Sequence, residues 1–168
     1  MNKEQQIKEW FERNFKYNIK NINAKKELYD FEDDNDKKNR LCIDYFCLLK
    51  IINKIQNNQK FDIFIRDFIY RIGCNLQVYF REGNFFYILE NILIKKNRDY
   101  GSSFDKSINK FGWVYVAIEL DKKKNRLHSL LKNKEKPNYE SIEDTLLDIA
   151  GYCVLSLIYL ENKELSND

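Results

Sequence analysis

The chain has 168 residues, 43% of them hydrophobic, which is enough for one domain with a real core. Its 29 basic and 26 acidic side chains leave a net charge of only +3, so bulk electrostatics make no case for nucleic acid or a membrane surface as partner. One Pro and five Gly are too few for the many tight turns of an all-β protein, and they point to helices.

From the N-terminus, Ile7, Trp10, Phe11 and Phe15 recur at intervals of three and four and predict an amphipathic first helix. Residues 17–40 are polar and end in a mixed acidic and basic cluster, which reads as a solvated loop or as the capped start of the next helix near Asp33 to Asp36. Leu41, Tyr45, Leu48, Leu49, Ile52 and Ile55 place a second helix over residues 37–56. Residues 61–74 are rich in aromatic and β-branched residues, yet Phe61, Ile65, Phe68 and Ile72 fit one helical face, with Gly73 expected to end or break it. Residues 84–97 predict a helix with Asn84 as N-cap, followed by a turn at residues 99–103. A long helical stretch over residues 105–131, interrupted near Gly112, leads through a connector at Pro137 to a final helix capped by Ser141 or Asn138. The expected fold is therefore all-α, a bundle of about five to six helices.

Cys42, Cys47, Cys74 and Cys153 form no Cys-x-x-Cys pair and have no His nearby, so they read as small core residues in a reducing cytoplasm rather than zinc ligands or disulfide partners. The first ten residues have no apolar run of the kind found in a signal peptide, and no apolar run reaches the ~20 residues that span a bilayer. A cytoplasmic location without membrane association is the expectation.

The segment Glu140 to Tyr152 sets Glu140, Glu143, Asp144 and Asp148 into the first turns of an otherwise apolar helix. Residues four apart fall on nearly one face, so Glu140, Asp144 and Asp148 form a carboxylate stripe. The residues that follow, Ile149 to Leu160, are apolar on almost every side, as for the central helix of a bundle. Burying Asp144 and Asp148 there without a partner would cost several kcal/mol, which leaves two solutions: Mg²⁺ or Mn²⁺ bound through oxygen ligands, or ion pairs to nearby Lys and Arg. Glu140 and Glu143 also suit the first turn simply by complementing the helix dipole.

Three segments in order, Lys95 to Phe104, Glu119 to Leu131 and Glu140 to Tyr152, resemble the nucleotide modification associated domain 1 family, common in phages and mobile elements and related in pattern to the all-α MazG-like NTP pyrophosphatases. The resemblance spans roughly residues 85–161. It is carried by Lys96, Asp99, Tyr100 and Gly101, then Asp121, Lys122, Arg126 and Leu127, then Glu140, Ser141, Asp144, Asp148 and Tyr152. It implies a MazG-like helical domain over residues 81–168, with residues 1–80 as a helical N-terminal extension packed on it. It also implies acidic residues of facing helices holding Mg²⁺ against a nucleotide. The helix before Asp99 supplies only Glu90, so the paired acidic set of the MazG-like pattern is incomplete, and catalysis is left open.

Cleavage of a nucleoside triphosphate between its α and β phosphates needs metal ions that neutralise phosphate oxygens and activate water. Asp144 and Asp148 would hold the metal, Glu140 would serve as third ligand or as the base orienting water, and Asp121 would complete the shell from the preceding helix. Lys122 and Arg126, one turn apart, would stabilise the leaving pyrophosphate. Lys96 would meet phosphate or else serve only as a solvated helix end, Tyr100 would stack on the base and Asp99 would accept from its amino edge. His128, without an evident partner, reads as a surface residue. The function expected is a metal-dependent nucleotide-binding protein, either an NTP pyrophosphohydrolase or a non-catalytic phage or mobile-element protein that sequesters a nucleotide or blocks a host defence protein. A homodimer or higher oligomer is expected, with the aromatic segment from Phe61 to Phe86 as interface.

Overall fold

Seven helices cover most of what the computed structural model describes, which is residues 2–15, 34–79, 85–132 and 141–164. They are α1 (Lys3–Phe15), α2 (Asp34–Gln56), α3 (Asp62–Tyr79), α4 (Phe85–Tyr100), α5 (Ser103–Phe111), α6 (Trp113–Lys132) and α7 (Ile142–Glu164). Among the described residues there is no strand, so the all-α expectation holds, with slightly more helices than expected. No described helix is long and apolar enough to cross a membrane.

The last helix organises the rest. α7 packs against α1, α3, α4 and α6, and residues such as Leu146, Ile149, Ala150, Val154 and Leu157 are buried on different sides of it. A helix apolar all round has no face to give to solvent, and this one is enclosed accordingly. Its start is made by a capping box: Ser141 Oγ accepts from the Asp144 backbone N–H at 3.0 Å, and the Asp144 carboxylate accepts from the Ser141 backbone N–H at 3.2 Å. Ser141 is thus one of the two expected caps, while Asn138, Pro137 and the Asn84 cap lie outside the described residues.

Two glycines show how the elements are joined. Gly112 separates α5 from α6 at φ +67°, as the interruption expected near it requires. Gly73, expected to end or break α3, instead lies inside it, and the helix runs on to Tyr79. A Cβ at Gly73 would lie 2.9 Å from Phe85 Cδ1, so the missing side chain admits α4 to close packing rather than breaking the helix.

One hydrophobic cluster takes residues from all seven helices, Ile7 and Trp10 of α1 and Leu48 and Ile51 of α2 among them. Among the described residues of the aromatic segment expected to form an interface, Phe61, Phe68, Phe85 and Phe86 are buried, while Ile63 is exposed. Of the cysteines read as core residues, Cys153 is buried and Cys47 half-buried, but Cys42 is exposed, because it falls on the solvent side of α2. His128 is half-buried against the Tyr45 ring, with centroids 5.4 Å apart, and so has a partner from α2 that a sequence reading of α6 alone does not reveal.

Candidate functional site

A cavity of about 410 Å³ opens where the end of α4, the turn into α5 and the facing sides of α6 and α7 meet. Gly101, at φ +61°, reverses the chain after Tyr100 and places Ser102 and Ser103 at the rim. The volume falls in the range of sites for small ligands.

Its polar end is built on Asp148. Lys96 of α4 donates to Asp148 Oδ1, and Lys123 of α6 donates to Oδ2 at 2.5 Å. Burial pushes the Asp148 carboxyl up, but the hydrogen bonds and charges of Lys123 and Lys96 outweigh burial and hold it below the usual aspartate value. One turn further on, Tyr152 of α7 donates to Glu119 Oε2 of α6 at 3.3 Å, and Lys122 holds Glu119 Oε1 at 2.7 Å. The paired contacts of Lys123 with Asp148 and Glu119 with Tyr152 show that α6 and α7 run antiparallel here. Burial, then the neighbouring Tyr115 and Glu119, push the Tyr152 hydroxyl above its usual range, so it stays a donor.

The other end is aromatic. Phe104, Tyr115 and Tyr152 pack edge-on or tilted with centroids 6.0 to 6.5 Å apart, and exposed Tyr100 stands at the mouth. Lys3 reaches the cavity from α1, nearly buried and paired with Asp105 of α5 at 2.7 Å. Three ammonium groups, Lys3, Lys96 and Lys123, thus face two carboxylates, Asp148 and Glu119, beside a set of π faces.

The residues singled out from the sequence do not all come together. Lys96, Tyr100 and Asp148 line the cavity together. Asp144 is exposed and serves the capping box; Asp121 bonds Lys124 through Oδ1 and Asn125 through Oδ2 at 3.0 Å; Asp99 is exposed at the end of α4. Asp121 is two residues from both Glu119 and Lys123, roughly 200° around the helix, and so faces away from α7. Exposed Lys122 and half-buried Arg126 sit on α6 without lining the cavity. Glu140 lies outside the described residues.

These positions bear on the metal. Among the described residues no three His, Cys, Asp or Glu side chains lie where they could hold an ion together. Both oxygens of Asp148 and of Asp121 are taken by side-chain donors, and Asp144 Oδ2 accepts from Ser141. Two ammonium groups on Asp148 supply the positive charge that a divalent cation would bring, so the described donor set does not fit Mg²⁺ or Mn²⁺. For Asp148 the ion-pair alternative is the one seen.

Lys3, Phe104, Tyr115, Glu119 and Lys123 are cavity residues that the sequence reading did not place in a site. The spacing of Tyr115, Glu119 and Lys123, each four residues apart, was a usable signal, since it matches Asp148 and Tyr152 on the facing helix. Lys3 had none, because it arrives from about 100 residues away in sequence.

The fold and cavity define an all-α protein with a cationic, aromatic-walled pocket. Residues 96–160 match the family model of nucleotide modification associated domain 1, which supports the resemblance read from the three segments. No curated protein and no solved structure matches the chain.

Proposed function

We propose that the chain binds a nucleotide in the cavity between α4, α5, α6 and α7, with phosphate against Lys96 and Lys123 and the base among the aromatic side chains. The observation that carries this reading is the convergence of two lysines from different helices on Asp148, beside Phe104, Tyr115 and Tyr152. An ammonium has three donors; Lys96 gives one to Asp148, and with half its side chain exposed it can offer others to phosphate oxygens. Asp148 holds the lysines in place before the ligand arrives, which lowers the ordering cost of binding. The family match over residues 96–160 agrees with a nucleotide ligand.

Capture without turnover is favoured over pyrophosphohydrolysis by one observation, the occupation of Asp121, Asp144 and Asp148 by donors of the chain itself. A relation to the MazG-like pyrophosphatases would require those carboxylates to leave their present partners and gather around Mg²⁺. The test is calorimetric titration of ribo- and deoxynucleoside triphosphates with Mg²⁺ and with EDTA, with mass spectrometry of the mixture afterwards. Binding that persists in EDTA, leaves the nucleotide intact and weakens by about tenfold or more in Lys96→Ala is the expected result. Release of monophosphate and pyrophosphate only with Mg²⁺ would establish the hydrolase instead, and no binding under either condition would overturn the reading.

A further inference from the structure

The cavity has two polar rungs, and the nucleotide reading uses only one of them. Lys96, Asp148 and Lys123 make the first. The second is Glu119, one turn before Lys123 on α6 and facing Tyr152, one turn after Asp148 on α7. We propose that Glu119 is the residue that reads the sugar, its carboxylate accepting a hydrogen bond from a sugar hydroxyl of a nucleotide whose phosphate rests on Lys96 and Lys123. This rests on the nucleotide reading of the same cavity.

Three observations carry it. Both rungs hold a carboxylate, but Asp148 is met by two ammonium groups and Glu119 by one ammonium and a neutral hydroxyl, so the excess positive charge orients a ligand one way: phosphate to the lysines, hydroxyl to Glu119. The rungs are one helical turn apart, with Cβ atoms about 5–6 Å from each other on each helix. That offset suits the reach from a 5′-phosphate to the hydroxyls of the same sugar and is too short for the far edge of the base. Finally, Glu119 is held but not used up. Lys122 fixes Oε1 from the solvent side at 2.7 Å, whereas the bond from Tyr152 to Oε2 is long at 3.3 Å and exchangeable for a better donor. Carboxylate recognition of sugar hydroxyls recurs in nucleotide sites for the same reason, since a carboxylate offers two strong acceptors.

The experiment compares the full chain with whichever of the four ribonucleoside 5′-triphosphates binds most tightly, and with its 2′,3′-dideoxy counterpart, by calorimetric titration. The wild type should bind the dideoxy form at least about tenfold more weakly, the loss expected for a hydrogen bond to a charged acceptor. Glu119→Ala should bind both forms alike. Glu119→Gln, which keeps the shape and a neutral acceptor, should show an intermediate ratio and covers the case in which the alanine variant does not fold. Tyr152→Phe, which leaves the carboxylate, should keep the discrimination. Equal binding of the two forms by the wild type, or discrimination that survives in Glu119→Ala, overturns the assignment while leaving the nucleotide reading intact. Failure of every nucleotide to bind overturns both.

Discussion

Asp148 accepts from two ammonium groups on different helices, and its behaviour with pH follows from that geometry. Its folded pKa lies below the ordinary aspartate value, near 3.9 in unfolded chains. A depressed carboxylate stabilises the fold above the unfolded value, and the contribution fades as pH falls through the folded one. Asp148→Asn should therefore cost about 1–2 kcal/mol at neutral pH, a figure kept low because half of the Lys96 side chain is exposed and screened by water. Urea denaturation of wild type and variant should show that gap at pH 7 and a smaller one at about pH 3. A gap that does not depend on pH would mean that the carboxylate acts through packing. This residue also shows what could be read beforehand. Its need for a cation was legible from an apolar helix bearing an acidic stripe, but the cations were not, because Lys96 lies 52 and Lys123 lies 25 positions away. Asp144, read on the same face, is taken by a local capping box, a signature carried within four residues by Ser141 and Asp144 themselves.

Between neighbouring helices, the same Gly→Ala change should act through two different mechanisms. In Gly73→Ala the new methyl would meet Phe85 at 2.9 Å and Phe86 Cζ at 3.1 Å, and both rings are buried in the core. The gain in helix propensity, about 1 kcal/mol, opposes an overpacking cost of about 1–3 kcal/mol, and the net should be a loss. At Gly112 the space is open, with nothing within 4 Å, but φ +67° and ψ −164° belong almost to glycine alone. Gly112→Ala should cost about 1–3 kcal/mol by backbone strain. Replacing Phe85 by Leu should reduce the cost of Gly73→Ala and leave that of Gly112→Ala unchanged, which a double-mutant cycle on urea midpoints would reveal. Helix existence was readable from periodicity throughout, including the break at Gly112. The role of Gly73 was not, since a glycine that ends a helix and one that admits a neighbouring ring look alike until the neighbour is placed.

Across the whole molecule, described helices from residues 1–80 are tied to those from residues 81–168 by particular side chains, consistent with an N-terminal part packed on the core. Glu161 near the end of α7 accepts from Trp10 Nε1 at 3.2 Å, from Arg13 at 3.1 Å and from Arg66 at 2.7 Å, tying α1 and α3 to the central helix. At the other end of α1, Lys3 pairs with Asp105 beside the cavity. Trp113, at the start of α6, packs on Phe61 of the connection before α3 with centroids 4.8 Å apart and on Tyr159 of α7 at 5.7 Å. A single core draws on all seven described helices, so unfolding should be one cooperative transition. The two tryptophans report on opposite parts of the chain: Trp113→Phe leaves only Trp10, and Trp10→Phe leaves only Trp113. In each variant the fluorescence midpoint in urea should coincide with the midpoint from helical circular dichroism, although Trp10→Phe lowers both by removing core volume. If residues 1–80 were instead an extension packed on an independent domain, Trp10 would report unfolding at lower urea than the dichroism of the remaining helices. The cavity, which borrows Lys3 from α1, would then lose that lysine before the rest of its walls.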